Sequence, residues 1–501
     1  MHVAIVGAGF SGLVTASTLL AFGHSIVIFE TAPDVGGVWS RSKRYPGIRT
    51  QNPRHTYALS SMRMSASYPL HPKGEQVQSY LEEYARLNGL DREGRLRLGT
   101  EVVKGERNGC GWVIHTRSSD GEYQSSHFDH LVVASGVYNV PHIPELKGLD
   151  SFLASGGRIV HTSQLRSLDE VAGKRVVVLG YGKSACDAAV EVARCAHTTT
   201  LVAKSLFWKL PTYIGGVLHY SYLLLTRVGE TLFPWIRPWR TQRFMDTIGS
   251  PLRRLLFSSL GAITSVQLGL GRLSMVPDTP FETIARSTIS LATPGLYQAI
   301  SNGEITVRRG TVLSARPGSV SLSDGTTLPT EVIVCGTGWR HDLPSFLPAD
   351  LIPVLTDSSG NWVLYRHILP VQVPNLSFIG FASSLFCPLT AELSALWLAA
   401  YLTGGLLAPI PTEEEQRRQA EDAVRWLDDR TNGCHAKGTS IVPFSMSFVD
   451  ELLEDLGVGI GWWDYLREWV LPVDPAAYKG LLVQVLKRQA SRAPGRKCEK
   501  I

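Results

Sequence analysis

The residues that could do chemistry begin with a set of glycines near the amino terminus. Gly7, Gly9 and Gly12 form a G-x-G-x-x-G pattern directly after the apolar run Val3–Val6, and Glu30 follows 23 residues after Gly7. Such glycines permit a tight turn, close approach of a pyrophosphate to the backbone, and close packing of a helix on a strand. A carboxylate at Glu30 can accept hydrogen bonds from ribose hydroxyls. The pattern therefore predicts a dinucleotide site.

A second pattern starts at Gly180 and Gly182, with Ala185 in place of the third glycine. It also follows an apolar run, Arg175–Leu179, and Lys204 lies 24 residues after Gly180. A cation at this position suits the 2′-phosphate of NADPH, which a carboxylate would repel. We therefore expect the second site to bind NADPH and the first to bind a nucleotide without a 2′-phosphate. The alternative at Lys204 is an ordinary solvated lysine.

Both patterns need strand, turn, helix and strand units to position them. Two such units predict an α/β fold with two Rossmann-like domains. A chain with two nucleotide sites is expected to pass a hydride from a nicotinamide to a bound flavin. Two further apolar strands, Leu131–Gly136 and Glu331–Gly338, end in small-residue turns. We expect them where the chain crosses between the two domains.

Composition limits the class of protein. The 501 residues carry a net charge of +5, and residues 487–501 alone hold six basic residues and one acidic residue. The rest of the chain is therefore near neutral, which predicts a flexible basic tail and no nucleic-acid partner. The seven cysteines are scattered without a C-x-x-C pair, so no metal site is expected. Because the chain also opens directly with a strand, we expect a cytoplasmic protein without a signal peptide.

Further motifs extend the pattern beyond the two glycine turns. They are Gly36-Gly37-Val38-Trp39, the run Tyr45–Pro53, the run Pro72–Leu81, Cys335–Trp339, Tyr365–Pro370, Phe378–Phe381 and Leu389–Glu392. In combination the chain resembles the class B flavin-dependent monooxygenases over almost its whole length. It looks most similar to the FMO-like branch found in fungal natural-product pathways.

This resemblance implies an NADPH- and O2-dependent monooxygenase that holds FAD. In such enzymes NADPH reduces the flavin, oxygen adds at C4a, and the hydroperoxide transfers one oxygen atom to a small organic substrate, here a secondary metabolite. The NADPH domain is expected to interrupt the FAD domain. The expected boundaries are residues 1–150 for the first FAD part, 151–326 for the NADPH domain with a helical insert at about 205–276, 327–486 for the second FAD part with C-terminal helices, and 487–501 for the tail.

The resemblance also implies roles for single residues. Those expected to bind FAD are Gly7, Gly9, Ser11, Gly12, Glu30, Val38, Trp39, Val103 and Thr390. Those expected to bind NADPH are Gly180, Gly182, Ser184 and Lys204. Gln51 is expected to face the reacting edge of the flavin, and its neighbour Asn52 is the alternative for that catalytic position.

Departures from the family keep one alternative activity open. The family motif F-x-G-x-x-x-H retains Gly157 and His161 here, but Ser155 replaces the Phe, and Leu165 replaces the aromatic residue that follows. This motif therefore does not separate FMO-like enzymes from Baeyer–Villiger monooxygenases, which insert oxygen next to a ketone. The amide at Gln51 is closer to the FMO side, where Baeyer–Villiger enzymes carry Asp.

The insert has no assigned role from the sequence. It alternates apolar runs with arginines, and its longest apolar stretch, Tyr213–Leu225, is too short to span a membrane. Three interpretations are an amphipathic lid over the substrate entrance, plain structural packing and peripheral membrane contact. Outside it, Trp397, Trp462 and Trp463 are expected in the core.

Overall fold

The first glycine pattern begins a five-stranded parallel sheet in the computed structural model, which describes residues 1–233, 235–285 and 289–492. The strand order is Leu376–Phe378, His130–Val133, His2–Val6, Ser25–Phe29 and Leu96–Arg97. The central strands are mainly apolar because both faces of the sheet are covered, one by helices such as Phe10–Ala21 and the other by the strands within residues 100–128. The strand at residues 376–378 comes from late in the chain, so the first domain is assembled from two separated segments.

The second glycine pattern begins a second five-stranded parallel sheet. Its order is Ile305–Arg309, Thr198–Ala203, Arg175–Leu179, Val332–Cys335 and Arg158–His161. The domain therefore extends past residue 326, where we expected it to end, because the buried strand Val332–Cys335 lies inside this sheet. The chain crosses between the domains through the antiparallel pair Val140–Pro141 and Trp339–Arg340.

Smaller elements complete the two domains. The first carries an antiparallel meander of Thr100–Asn108, Gly111–Ser118 and Tyr123–Phe128, and the second carries one of Val312–Arg316, Ser319–Leu322 and Thr327–Pro329. Helices that pack on the sheets or extend the first domain are Phe10–Ala21, Gly74–Leu87, Leu149–Ala154, Lys183–Ala193, Leu296–Ser301, Cys387–Leu402, Glu413–Thr431, Ser445–Leu456, Trp462–Val470 and Leu481–Arg492.

The insert is helical, as expected, but longer than residues 205–276. It leaves and rejoins the second domain at a bridge between Leu210 and Leu291. Its elements are the strands Tyr213–Ile214 and Leu218–His219 and the helices Ser221–Leu224, Arg227–Glu230, Arg240–Asp246 and Ser250–Gln267.

Buried charges fix part of the insert to the C-terminal helices. The Arg227 side chain is 1% exposed and donates to Asp450 at 2.7 and 2.8 Å and to Glu468 at 2.8 Å. Glu230 accepts hydrogen bonds from the backbone of Met446 and Ser447 at the start of helix Ser445–Leu456. Residues 226–231 are therefore packed as a structural anchor, which matches the packing interpretation for this part of the insert.

Two expectations about the C-terminal region are wrong. Trp397 is buried, but Trp462 and Trp463 are 63% and 71% exposed because they lie on the outer face of their helix. The region from residue 487 is not a tail from its start, since helix Leu481–Arg492 continues through it. Arg488 anchors that helix by donating to the carbonyls of Gly405 and Gly457. Residues 493–501 lie outside the described residues.

Candidate active site

The first glycine turn has the geometry that its residue types require. Gly7 has φ +111°, and a Cβ there would lie 2.5 Å from the carbonyl oxygen of Ala134. A Cβ on Gly12 would lie 1.8 Å from the carbonyl oxygen of Gly7, so this glycine allows the helix to pack on the strand. Gly9 differs, because a Cβ there would meet nothing closer than 3.5 Å, at Gly37. Its missing side chain keeps space open above the turn.

Glu30 is a buried carboxylate at the end of strand Ser25–Phe29. One oxygen accepts from the backbone N–H of Ala8 at 2.8 Å, and the other accepts from Ala32 at 2.9 Å. Lys43 lies 3.4 Å away and offsets its charge. The backbone thus fixes the orientation of the carboxylate, as a hydrogen-bond acceptor for a sugar hydroxyl requires.

These residues line a cavity of about 780 Å³ at the carboxyl edge of the first sheet. The predicted FAD-binding residues along its wall are Gly7, Gly9, Ser11, Glu30, Val38, Trp39 and Thr390. Gly12 lies beneath the turn instead, and the wall contains Val102 rather than the predicted Val103. Its size is in the range of cofactor pockets, and the open space over Gly9 with the fixed Glu30 fits FAD.

Helix Cys387–Leu402 begins at this cavity. Cys387 and Thr390 in its first turn line the wall. Helix N-termini carry partial positive charge and free N–H groups, so this end can stabilise an electron-rich group in the cavity. Burial raises the pKa of the Cys387 thiol, which keeps it neutral, and it donates to the carbonyl of Ser384.

The second glycine turn repeats the geometry of the first. Gly180 has φ +108°, and its Cβ would lie 2.4 Å from the carbonyl oxygen of Gly336. Ala185 packs directly on Gly336, which explains why a methyl group is tolerated in place of the third glycine. A Cβ at Gly182 would meet open space, so a ligand can approach the turn there.

The two predicted NADPH contacts beyond the glycines lie at the same edge of the second sheet. Ser184 is half-buried in the first turn of helix Lys183–Ala193. Lys204 is exposed directly after strand Thr198–Ala203. The neighbouring strand Ile305–Arg309 ends in a further arginine pair, so this edge is positively charged.

Neither predicted catalytic amide lines the cavity. The side-chain oxygen of Gln51 accepts from the backbone N–H of Leu291 at 3.2 Å, and its carbonyl accepts from the Tyr220 hydroxyl. Asn52 is buried and donates to the carbonyl of Leu385 at 2.6 Å. Gln51 is thus held by the insert, whereas Asn52 is held by the segment that leads into the helix at the cavity.

Known proteins share sequence similarity with this chain. Residues 1–245 match the family model for flavin-binding monooxygenase-like proteins. A probable flavin-containing monooxygenase of Arabidopsis thaliana is 26% identical over 91% of this chain and 92% of its own length. The chain is therefore similar to the flavin-dependent monooxygenases, in sequence over most of its length and in the family model over residues 1–245.

Solved structures share the fold of this chain. The S-allyl-L-cysteine S-oxygenase of Allium sativum has a TM-score of 0.63 and 21% identity, and the alignment covers 98% of both chains. A structure described as OTEMO in complex with FAD and NADP has a TM-score of 0.68 and 17% identity over 90% of this chain and 97% of that one. The two-domain α/β fold is confirmed, and the second of these structures holds the two cofactors that the sequence of this chain predicts.

Sequence reasoning missed several residues that line the cavity at the carboxyl edge of the first sheet. They are Lys43, Tyr57, Tyr138, Asn139, Arg340 and Cys387. Tyr138 and Asn139 follow strand His130–Val133, and the carboxyl end of a central parallel strand was an available signal. The others come from distant segments that only the fold brings together.

The described part of the chain contains neither a membrane-spanning helix nor a cluster of metal ligands. None of its helices is both long and apolar enough to cross a bilayer. Within the same residues, no three His, Cys, Asp or Glu side chains converge to form a metal site.

Proposed function

We propose that the monooxygenase transfers one oxygen atom from O2 to a small organic substrate, a secondary metabolite, at the cavity on the first sheet. The observation that carries this proposal is the arrangement of the open turn at Gly9, the fixed carboxylate of Glu30 and the helix start at Thr390 around one cavity. Bound there, FAD would take a hydride from NADPH, activate oxygen and supply the transferred atom.

In this proposal the chain binds, orients and excludes water. Glu30 would hold the ribose of FAD, and Gly9 would leave room for its pyrophosphate. Tyr57 and Tyr138 on the wall would shield the reacting end, and burial raises the pKa of the Tyr57 phenol, which therefore remains a neutral hydrogen-bond donor. Gly180, Gly182, Ser184 and Lys204 would hold NADPH at the edge of the second sheet.

The alternative is Baeyer–Villiger oxidation of a ketone. The amide side chains at both candidate positions, Gln51 and Asn52, support heteroatom oxygenation instead, because neither supplies the carboxylate that the Baeyer–Villiger position carries. A thioether or amine is therefore the first substrate class to test.

The test is a substrate panel with the purified protein. It should be yellow, oxidise NADPH in air, and add 16 daltons to a thioether or tertiary amine while leaving a cyclic ketone unchanged. Conversion of the ketone alone would favour the Baeyer–Villiger alternative. Colourless protein that FAD cannot reconstitute would overturn the assignment.

A glycine pair provides a matched control for the cofactor site. Gly9→Val places a side chain in the cavity, whereas Gly459→Val places one at an exposed glycine with equally free surroundings. We expect Gly9→Val to fold without FAD and Gly459→Val to retain it. Extracts of cells with and without the gene, compared by mass spectrometry, would then test the secondary-metabolite role, and fractionation would test the proposed cytoplasmic location.

A further inference from the structure

Helix Ser250–Gln267 has two apolar faces, and the protein covers one of them. Phe257, Gly261 and Thr264 face inward and are buried. Five apolar residues at helical spacing face solvent and are between 40% and 82% exposed: Leu252, Leu255, Leu256, Ile263 and Val266. Successive members of this set are three or seven residues apart, except for the single step from Leu255 to Leu256, so they lie on one side of the helix.

Helix Trp462–Val470 shows the same arrangement. Glu468 on its inner face is buried in the ion-pair network with Arg227. Trp462, Trp463 and Val470 on its outer face are 63%, 71% and 66% exposed. A helix held by a buried ion pair on one side thus presents its aromatic side to water.

The two outward stripes belong to elements that contact one another in series. The rings of Trp239 and Trp469 are 6.0 Å apart, which places the start of helix Arg240–Asp246 against helix Trp462–Val470. Helix Arg240–Asp246 in turn contacts helix Ser250–Gln267. Phe244 and Ile248, between them, are 51% and 80% exposed. We call the exposed apolar residues of segments 244–266 and 462–470 the apolar platform.

The charges around the platform have one dominant sign. Residues 237–254 contain five arginines and one acidic residue, Asp246. Arg253 offsets that acidic residue through an ion pair at 2.9 Å. Arg240, Arg243 and Arg254 are exposed. The part of the platform in residues 244–266 is therefore bordered by positive charge, which is complementary to an anionic surface, whereas the exposed charges of helix Trp462–Val470 are the pair Asp464 and Arg467.

We propose that the apolar platform docks this enzyme on the surface of an anionic lipid bilayer. Exposed tryptophans and leucines on helices bordered by arginines suit the boundary between headgroups and acyl chains, with the helices lying in its plane. Soluble monomers rarely expose contiguous apolar faces of this kind. The arginines favour anionic headgroups over a neutral surface.

The test is vesicle flotation of the FAD-loaded full-length protein. Wild type should float with phosphatidylcholine vesicles that contain about 30% phosphatidylserine, and it should float less with pure phosphatidylcholine or at high salt. The double variants Trp462→Ser/Trp463→Ser and Leu252→Ser/Leu255→Ser should each weaken binding at least about tenfold. The control Leu87→Ser/Tyr123→Ser changes side chains that are 59% and 70% exposed elsewhere and should bind as wild type does.

Three results would overturn the proposal. They are absence of wild-type flotation on anionic vesicles, flotation that the platform variants do not weaken, and equal loss in the control. The main alternative is that the platform is an interface between two copies of this chain, and light scattering tests it. A wild-type dimer that the platform variants convert to monomers would support that alternative and overturn the proposal. NADPH oxidation by the variants shows that each is folded, and this readout does not depend on the substrate proposed above.

Discussion

At the scale of the residue, the charge of Lys204 sets the expected choice between nicotinamide cofactors. Its ammonium group is exposed at the carboxyl edge of the second sheet, where a 2′-phosphate would lie. We predict that Lys204→Ala lowers the NADPH to NADH ratio of kcat/KM about ten- to hundredfold, because a charge-assisted hydrogen bond is worth roughly 1.5–3 kcal/mol. Steady-state kinetics with both cofactors measures this ratio. The control Lys147→Ala removes another exposed lysine and should leave the NADPH to NADH ratio unchanged. If Lys204→Ala also leaves the ratio unchanged, Lys204 is an ordinary solvated lysine.

A second prediction concerns Gln51 and Asn52, the two amides predicted to be catalytic. Asn52 donates to the carbonyl of Leu385, two residues before helix Cys387–Leu402 begins, whereas Gln51 faces the insert. We therefore expect Asn52→Ala to retain FAD and NADPH oxidation but to release more hydrogen peroxide per NADPH than Gln51→Ala does. Loss of roughly 1–3 kcal/mol from a buried hydrogen bond corresponds to about five- to hundredfold in a competing rate. A peroxide assay beside NADPH absorbance decides it, and the reverse order would return the role to Gln51.

Sequence was a good guide where the chemistry depends on neighbours along the chain. Gly7, Gly9 and Glu30 lie where their spacing predicted, because a strand, a turn and a second strand fix all three locally. Val102 lines the cavity in place of the predicted Val103. The pairing of strand Thr100–Asn108 shifts register between Val102 and Lys104. Such a bulge changes which side chains of the strand share a face, which a position carried over from the family resemblance does not take into account.

At the scale of the element, an apolar pattern predicts a strand or helix but not its partner. Strand Val332–Cys335 does lie just before the crossing at Trp339–Arg340, but it belongs to the second sheet and not to the resumed first domain, since any fully buried parallel strand has the same composition. The outer face of helix Trp462–Val470 was expected in the core for a similar reason. Periodicity shows that a face is apolar, and only tertiary packing shows what covers it.

The anchor between the insert and the C-terminal helices gives a stability prediction. Arg227→Met would leave the carboxylate of Glu468 buried, and burial already raises the pKa of that group. We expect a loss of about 3–5 kcal/mol in the free energy of unfolding, because one partner of a buried ion pair is left uncompensated. Urea unfolding measures it. The control Arg467→Met removes an exposed arginine from the helix that carries Glu468. Arg467 forms an exposed ion pair with Asp464 at 3.7 Å, and its loss should cost under about 1 kcal/mol. Equal losses would mean that the anchor adds no stability.

At the scale of the whole molecule, buried histidines should make stability depend on pH. Burial lowers the pKa of His130, His71 and His367 to about 4. In the unfolded chain these histidines bind protons below pH about 6.5, whereas in the native protein they bind protons only below pH about 4. The free energy of unfolding should therefore fall as the pH drops between these values. We predict that His130→Phe flattens this dependence by roughly 1.4 kcal/mol per pH unit. Urea titrations from pH 7 to 4.5 check it, with the exposed His127→Phe as control. An unchanged slope in His130→Phe would rule out this origin.

The late strand of the first sheet also sets an order for folding during synthesis. Strand Leu376–Phe378 pairs with His130–Val133 across a separation of more than two hundred residues. The second sheet is complete once residue 335 has been made, so that domain can fold on the ribosome while the first sheet still lacks its edge strand. Until that strand arrives, His130–Val133 has an unpaired edge that another chain could occupy. A nascent chain stalled after strand Val332–Cys335 has left the ribosomal exit tunnel, but before strand Leu376–Phe378 has, should therefore protect residues of the second sheet from protease, while the first domain remains a substrate for chaperones.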